Sequence, residues 1–185
     1  MMYLFLRKIS VILFSFLLFI NSEVKSSDIA DEYELKAAFF EKFARFIEWP
    51  EEANAATDPF EIVVLGDNPF GRKLENLYSK QKIKNRTVKI RLVKSVEKIG
   101  NCQILFICPS MSSNLQTILK EISNKNILTI GQSAGFCEKG VHINFYLSSS
   151  KLKFQINEKA AKNANFKISH LLLQNGSLVN SKGDE

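Results

Sequence analysis

Residues 131–135, GQSAG, match the pattern G-x-S-x-G that presents a nucleophilic serine in many hydrolases. That chemistry needs a helix directly behind the serine and a histidine that accepts the serine proton. Here Gly140 and a further predicted strand follow within about five residues, which leaves no room for the helix. His142 lies on that strand, and His170 lies in an apolar segment typical of a core or cap histidine. The pattern favours a chance match in a loop over a hydrolase.

Residues 66–73, GDNPFGRK, follow a predicted strand and open a predicted helix, and their two glycines have the spacing of a phosphate-binding P-loop. The chemistry does not fit, because Arg72 and Lys73 stand where a P-loop needs Lys and then Ser or Thr. Pro69 also removes one of the amides that would bind phosphate. The residues therefore argue against a nucleotide hydrolase. Two interpretations stay open: a plain tight turn, or a small-anion site made by Gly66, Gly71, Arg72 and Lys73.

The two histidines and three scattered cysteines do not have the spacing of a metal site. The chemistry to consider for the cysteines is therefore disulfide formation. Cys102 and Cys108 bracket one predicted strand and would lie roughly 20 Å apart, too far for a bridge. Cys108 and Cys137 follow neighbouring predicted strands, so they can form a disulfide if both lie at the same edge of the sheet. The alternative is three reduced, buried thiols.

The N-terminus has the features of a secretory signal peptide. Arg7 and Lys8 precede a short apolar run, residues 9–20, which is too short to span a membrane comfortably. Small side chains favour cleavage after Ser26, and an uncleaved anchor is the alternative. No cysteine follows the run at a distance that allows lipidation, so we expect an exported, soluble domain. The formal net charge of +6 is too weak and too dispersed to indicate nucleic-acid binding.

The elements that would position these residues alternate along the chain. Short β-branched or aromatic runs predict four strands, and the segments between them mostly read as helices, so the sheet should be parallel with flanking helices. The predicted strands are 60–66, 88–93, 103–109 and 127–131, and the helices are 31–48, 70–80 and 112–124. Residues 141–147 and 151–156 predict a terminal β-hairpin, after which Asn157 caps a last helix. We expect one α/β domain over 27–174 and a disordered tail over 175–185.

The first helix carries an apolar arc of about 200° on a helical wheel, wider than one packing face requires. Either the helix is wedged between the sheet and another element, or part of the arc meets a partner. We expect Tyr33, Phe40 and Trp49 to stay partly exposed, as a patch for a partner or a second copy of the chain. Lys36 lies within the arc, so its ammonium either reaches solvent or pairs with a carboxylate. The candidate partner-binding residues are Tyr33, Lys36, Phe40 and Trp49.

Four segments together resemble the YfiR-like periplasmic proteins. They are LKAAFFEKFARFIEWP, VVLGDNPFG, NCQILFI and FQINEKAAKNANFKISHLLL, in the family's order and roughly its spacing. The resemblance covers nearly the whole predicted mature chain. Two positions depart from the family pattern, since Cys102 has no cysteine in the first strand to pair with and His170 replaces a serine.

The resemblance implies a Rossmann-like fold, residence in the periplasm, and regulation by binding without catalysis or a cofactor. The partner it implies is the periplasmic part of an inner-membrane signalling protein, a diguanylate cyclase or a sensor kinase, with biofilm-linked cyclic di-GMP as the output. It also implies an outer-membrane lipoprotein as a second partner, and the aromatic patch leaves a homodimer open. A periplasmic protein that binds a small anionic ligand is the alternative function, and an envelope hydrolase ranks third.

The signal peptide yields the first testable prediction. Mass spectrometry of the protein recovered from the cell envelope should find a mature N-terminus at or close to Ser27, because the small residues before it suit the signal peptidase. Recovery of the chain with an intact Met1 from the cytosol would contradict export.

Overall fold

The computed structural model of the protein describes residues 24–50 and 59–179, with side chains from residue 32 onward. The export signal falls on residues outside this range, apart from its last three positions. Helix α1, Val24–Phe46, begins seven residues earlier than the sequence pattern predicts and runs through the expected cleavage position. None of the helices within the described ranges is both long enough and apolar enough to cross a membrane.

The main sheet has seven strands in the order β3-β2-β4-β5-β6-β7-β9. Neighbours from β3 to β6 are parallel, β6 and β7 form an antiparallel hairpin, and β9 adds parallel to β7. The predicted α/β fold, a mostly parallel sheet with a terminal hairpin, is confirmed. The strands are β2 (Phe60–Leu65), β3 (Val88–Val93), β4 (Ile104–Ile107), β5 (Leu128–Gly131), β6 (Ile143–Ser148), β7 (Lys151–Ile156) and β9 (Ser177–Leu178).

Four further helices flank the sheet, and two short strands pair away from it. The helices are α2 (Lys73–Tyr78), α3 (Leu115–Glu121), α4 (Glu158–Asn163) and α5 (His170–Asn175). The predicted cap of α4 is confirmed, because the Asn157 side chain accepts a hydrogen bond from the Ala160 amide at 2.8 Å. Directly after α1, strand β1 (Ile47–Glu48) pairs antiparallel with β8 (Lys167–Ile168).

The domain extends beyond the predicted boundary at residue 174. Ser177 and Leu178 form β9, and the Val179 amide donates to the Ile156 carbonyl at 2.9 Å. The prediction of disorder is wrong for these residues, because the free edge of β7 offers unpaired backbone groups that the polar segment satisfies. Residues 180–185 lie outside the described part of the chain.

Strand residues alternate between two apolar layers, because successive side chains of a pleated strand point to opposite faces. In β4, Ile104 and Phe106 face the layer that holds α1, α2, α4 and α5, whereas Leu105 and Ile107 face the layer that holds α3. All four side chains are buried. The parallel strands therefore read as continuous apolar runs in the sequence, because both of their faces are covered.

The Tyr78 hydroxyl links α2 to the backbone of α1. It donates to the Ala37 carbonyl at 2.7 Å and accepts from the Glu41 amide at 3.1 Å. Those two groups are four residues apart, the spacing of one helical hydrogen bond, so the hydroxyl bridges one turn of the helix. Burial raises the pKa of Tyr78, so the hydroxyl keeps its proton and donates it.

Tyr78→Phe should lower the free energy of unfolding by about 1–2 kcal/mol, because it removes a buried hydroxyl that pairs with two backbone groups. Urea denaturation measures this change. Tyr146→Phe is the matched control: its hydroxyl contacts the Ser177 hydroxyl at an exposed position, so its effect should stay within about 0.5 kcal/mol. Equal effects of the two substitutions would contradict a structural role for the Tyr78 bridge.

Candidate functional site

The carboxyl ends of the parallel strands form one edge of the sheet, where open α/β folds usually bind ligands. The strand order reverses between β2 and β4, so the crevice beyond these two strands is the expected position. In this protein the loops after β2 and β4 meet in that crevice. Gly66 has a φ of +104°, and a Cβ at that position would lie 2.6 Å from the Ser110 hydroxyl oxygen. The same hydroxyl accepts from the Asp67 amide at 2.9 Å, so the loops after β2 and β4 close on each other.

Lys36 lies at the same edge and is 3% exposed, although it carries an ammonium group. The ammonium contacts the Glu32 carboxylate one helical turn earlier and donates to the Gln132 side-chain oxygen at 2.7 Å. It also lies 4.4 Å from the centre of the Tyr33 ring, whose hydroxyl accepts from the Gln132 amide at 2.8 Å. Burial lowers the pKa of Lys36, and the Glu32 carboxylate opposes that shift. Of the two alternatives for Lys36, the carboxylate pair is the one observed.

This network joins the start of α1 to the loop after β5. Because the Lys36 ammonium pairs with the Glu32 carboxylate and both Lys36 and Tyr33 bond to Gln132, the network orients Tyr33 and Lys36 and compensates the lysine charge. Tyr33 is half-buried and packs edge-on against Phe70 at a centroid distance of 5.3 Å. The structure thus places two of the four predicted partner-binding residues together at the carboxyl edge.

The other two predicted partner-binding residues belong to the core. Phe40 is fully buried, with its ring 5.7 Å from that of Phe70 and 5.9 Å from that of Phe106. Trp49 is also buried, between Phe60 and Phe166. The prediction that Phe40 and Trp49 stay partly exposed is therefore wrong. Most of the wide apolar arc of α1 is buried, because the helix lies on the sheet and is also flanked by α2 and α5.

The predicted small-anion residues do not converge. Arg72 and Lys73 line a cleft of about 360 Å³ beside α1, but Glu34 also lines that cleft, with its carboxylate 3.7 Å from the Lys73 ammonium. Gly66 lies instead against the loop that follows β4. Gly71 has a φ of +56°, which a tight turn requires. Helix α2 has only six residues, so its N-terminus offers a weak dipole.

Ser133 of the GQSAG pattern has no histidine partner among the described residues. Its hydroxyl oxygen lies 3.3 Å from the Ser112 hydroxyl, and the chain after it continues into a short 3₁₀ turn, Cys137–Lys139. His142 lies near the starts of β5 and β6, at the other edge of the sheet, where its Nδ1 accepts from the Thr129 amide at 3.1 Å. His170 is exposed on α5. This arrangement does not provide the general base that a serine nucleophile needs.

The three cysteines are free and buried. The predicted Cys108–Cys137 bridge is wrong, because the chain after β5 crosses back over the sheet before it reaches Cys137. The Asn157 side chain donates to the Cys137 carbonyl at 2.7 Å, and the Asn157 amide donates to the His142 carbonyl just before β6. Cys137 thus lies at the amino edge and Cys108 at the carboxyl edge. Burial raises the pKa of all three thiols to about 12, so they remain protonated and unreactive.

One exposed apolar surface was missed by the sequence analysis, and we call it the leucine patch. It consists of Leu35, Phe39, Leu147 and Leu152. Leu35 and Leu147 are exposed, at 48% and 56%. Leu35 lies one turn before Phe39 on α1, and the Phe39 ring lies 5.8 Å from that of Phe145. Leu147 follows Phe145 on the same face of β6 and pairs in register with Leu152 of β7.

Leu147 and Leu152 share one face of the hairpin with Phe145 and Phe154. The exposure of Leu35 and Leu147 shows that the helices do not cover this corner of the sheet completely. The sequence pattern does not show which part of this face a helix covers, because that depends on packing between distant segments.

Comparison with known proteins places these features in a family. The sequence profile of the YfiR/HmsC-like family matches residues 33–177. The chain belongs to the YfiR/HmsC-like family. The match includes the leucine patch and the Lys36 network apart from Glu32, which lies one residue before the matched range. No curated protein sequence matches the chain.

Three solved structures share the fold of this YfiR/HmsC-like domain. An ABC domain from Streptococcus pneumonia in complex with L-Trp has a TM-score of 0.55 at 10% identity, over 80% of this chain and 60% of its own. A conserved domain protein from Vibrio cholerae has a TM-score of 0.54 at 8% identity, over 79% and 59%. A ligand-free, open substrate-binding protein with adhesive properties from Clostridium difficile has a TM-score of 0.51 at 14% identity, over 78% and 58%. The chain spans about three fifths of these structures, and the likeness shows the fold alone.

The burial of His142 generates a pH-dependence prediction. Burial lowers the pKa of His142 to about 4, so the folded protein binds fewer protons than the unfolded chain, whose histidine has a pKa of about 6.5. Stability is then full above pH 6.5 and falls as the pH drops towards 4. Between pH 7.5 and 5, the free energy of unfolding should fall by about 2 kcal/mol in urea titrations.

The two histidines provide a matched pair of variants for this test. His142→Gln should abolish most of the pH dependence in that window, whereas His170→Gln should retain it, because His170 is exposed. A wild-type stability that is flat between pH 7.5 and 5 would contradict the burial of a neutral His142.

Proposed function

We propose that this protein is a non-enzymatic periplasmic regulator that binds the periplasmic part of an inner-membrane signalling protein and thereby controls cyclic di-GMP signalling. Membership of the YfiR/HmsC-like family supports the class of function, and a diguanylate cyclase is the partner that it favours over a sensor kinase. Localisation in the periplasm is part of the same proposal.

The leucine patch is the observation that supports binding through a surface. Large exposed leucines at one corner are unusual in a domain that buries nearly all of its aromatic rings, and such clusters mark protein interaction sites. The patch continues an aromatic cluster, since Phe39 contacts both Phe145 and Phe154. A partner residue inserted there would therefore meet a rigid apolar base, which is the setting of binding hot spots.

One positive charge borders the patch. The Lys42 ammonium lies 5.3 Å from the centre of the Phe39 ring, whereas Lys151 and Lys153 alternate with Leu152 on β7 and point to the opposite face of the sheet. An apolar centre bordered by a lysine suits a partner that presents an apolar anchor beside an acidic side chain. The lipoprotein and a second copy of this chain are further candidate occupants of the same surface.

Two observations support a function without catalysis. The loops that follow β2 and β4 meet in the crevice where this fold usually binds ligands, and Ser133 lies apart from His142. Regulation by a bound partner requires neither an open active site nor a reactive side chain.

The experiment compares Leu147→Glu with Leu92→Glu. Leu92 is 52% exposed on β3, at the opposite edge of the sheet, so it is a matched control. A charge in the leucine patch should weaken partner binding by about 2 kcal/mol or more, roughly 30-fold. In a strain that lacks the gene, wild-type protein and Leu92→Glu should restore the cellular level of cyclic di-GMP, and Leu147→Glu should not.

Photo-crosslinking identifies the contact directly. A photoreactive amino acid at position 147 should capture an inner-membrane protein with a cyclase or kinase domain, and the same group at position 92 should not. Thermal unfolding of both glutamate variants should match that of the wild type. Full restoration of cyclic di-GMP by Leu147→Glu, or equal crosslinking from both positions, would contradict the proposal.

A further inference from the structure

A cleft of about 360 Å³ opens at the amino edge of the sheet, opposite to the Lys36 network. It lies between the end of α3, helix α4 and the starts of β5 and β6. This volume is within the range of small-molecule sites. The cleft is separate from the leucine patch and from the glycine loop that follows β2.

His142 lies at the base of the cleft, and its hydrogen bonds determine which ring nitrogen carries the proton. His142 lines the cleft and is 8% exposed. Its Nδ1 accepts from the Thr129 amide at 3.1 Å, and its own amide donates to the Thr129 hydroxyl at 2.9 Å. Because Nδ1 is an acceptor, the proton of the neutral ring must be on Nε2. No side chain or carbonyl in the described part of the chain accepts a hydrogen bond from Nε2, so this N–H is available to an occupant of the cleft that His142 lines.

The charged side chains that line the cleft are two lysines, Lys125 and Lys139, and no carboxylate lines it. Lys125 is paired with the Glu121 carboxylate at 3.2 Å. Lys139 has no ion-pair partner within residues 59–179 or the described part of α1. The cleft therefore offers one uncompensated positive charge and one N–H donor without a partner in the described part of the chain.

The remaining walls combine apolar and polar side chains. Leu119 of α3 and Ile122 just after it lie on one side, and Ala160 of α4 and Ala164 just after it lie on the other. The polar side chains are those of Gln116, Ser123 and Asn163. Apolar surface beside convergent polar groups is typical of sites for small organic molecules. A single N–H donor and a single unpaired ammonium match one carboxylate, which carries one charge and two acceptor oxygens.

We propose that this cleft binds a small organic carboxylate with an apolar body, whose carboxylate accepts from His142 Nε2 and faces the Lys139 ammonium. The apolar body would lie between α3 and α4. This site is independent of the proposed partner surface, and its occupant would contact both the end of α3 and the cap region of α4.

Phenylacetate is the probe, because it combines one carboxylate with one ring of suitable size. NMR of the mature domain follows the two imidazoles, which are the only histidine side chains in the sequence. Phenylacetate should shift the His142 signals saturably and leave the His170 signals unchanged. 2-Phenylacetamide has the same shape without the charge and should bind at least about tenfold more weakly, since charge-assisted hydrogen bonds are about twice as strong as neutral ones.

Substitutions at lysines test the charge without disturbing the buried histidine. Lys139→Gln should weaken phenylacetate binding about fivefold, as expected for the loss of a partly exposed ion pair. Lys80→Gln, at an exposed site after α2, should have no effect. The proposal is overturned if phenylacetate gives no saturable shift at His142, if the amide or inorganic phosphate binds as tightly, or if Lys139→Gln binds like the wild type.

Discussion

Two phenylalanines of helix α1 insert between rings that rise from the sheet. Phe40 packs against Phe106 of β4, and Phe43 packs against Phe145 of β6, with centroid distances of 5.9 and 5.6 Å. Burial of each ring contributes about 1.5–3 kcal/mol, and an alanine at such a site typically costs about 3–5 kcal/mol because a cavity remains. Helices α2 and α5 pack against α1, so their positions depend on where these rings hold it.

The same contact decides what the protein presents to solvent. With α1 held over β4 and β6, its first described turns reach the carboxyl edge, where Lys36 joins the loop after β5 through Gln132. The helix then leaves the corner beside the hairpin uncovered, which exposes Leu35 and Leu147. One packing arrangement thus accounts both for the Lys36 network at the carboxyl edge and for the exposed leucine patch.

The two edges of the sheet differ in the groups that line them. At the carboxyl edge, Gly66 closely approaches Ser110 between the loops that follow β2 and β4, where this fold usually holds a ligand. At the amino edge, the segment after β5 returns across the sheet and brings His142 beside Thr129, with a cleft next to them. A family whose function is regulation can use surfaces in place of an active site, and this domain offers a corner patch and a cleft at separate positions.

The sequence by itself determined the order and type of the elements, because strand runs, the Asn157 cap and the hairpin depend on neighbours close in the chain. It also determined that α1 is apolar over a wide arc. Only the tertiary structure decided what that arc meets: Phe40 and Trp49 became core because α1 is covered on more than one side. It likewise separated Cys108 from Cys137 and placed His142 in a cleft, since both results depend on the path of the chain after β5. Periodicity reports which side chains avoid water, but the number and direction of the surfaces that cover them are set by packing between distant segments.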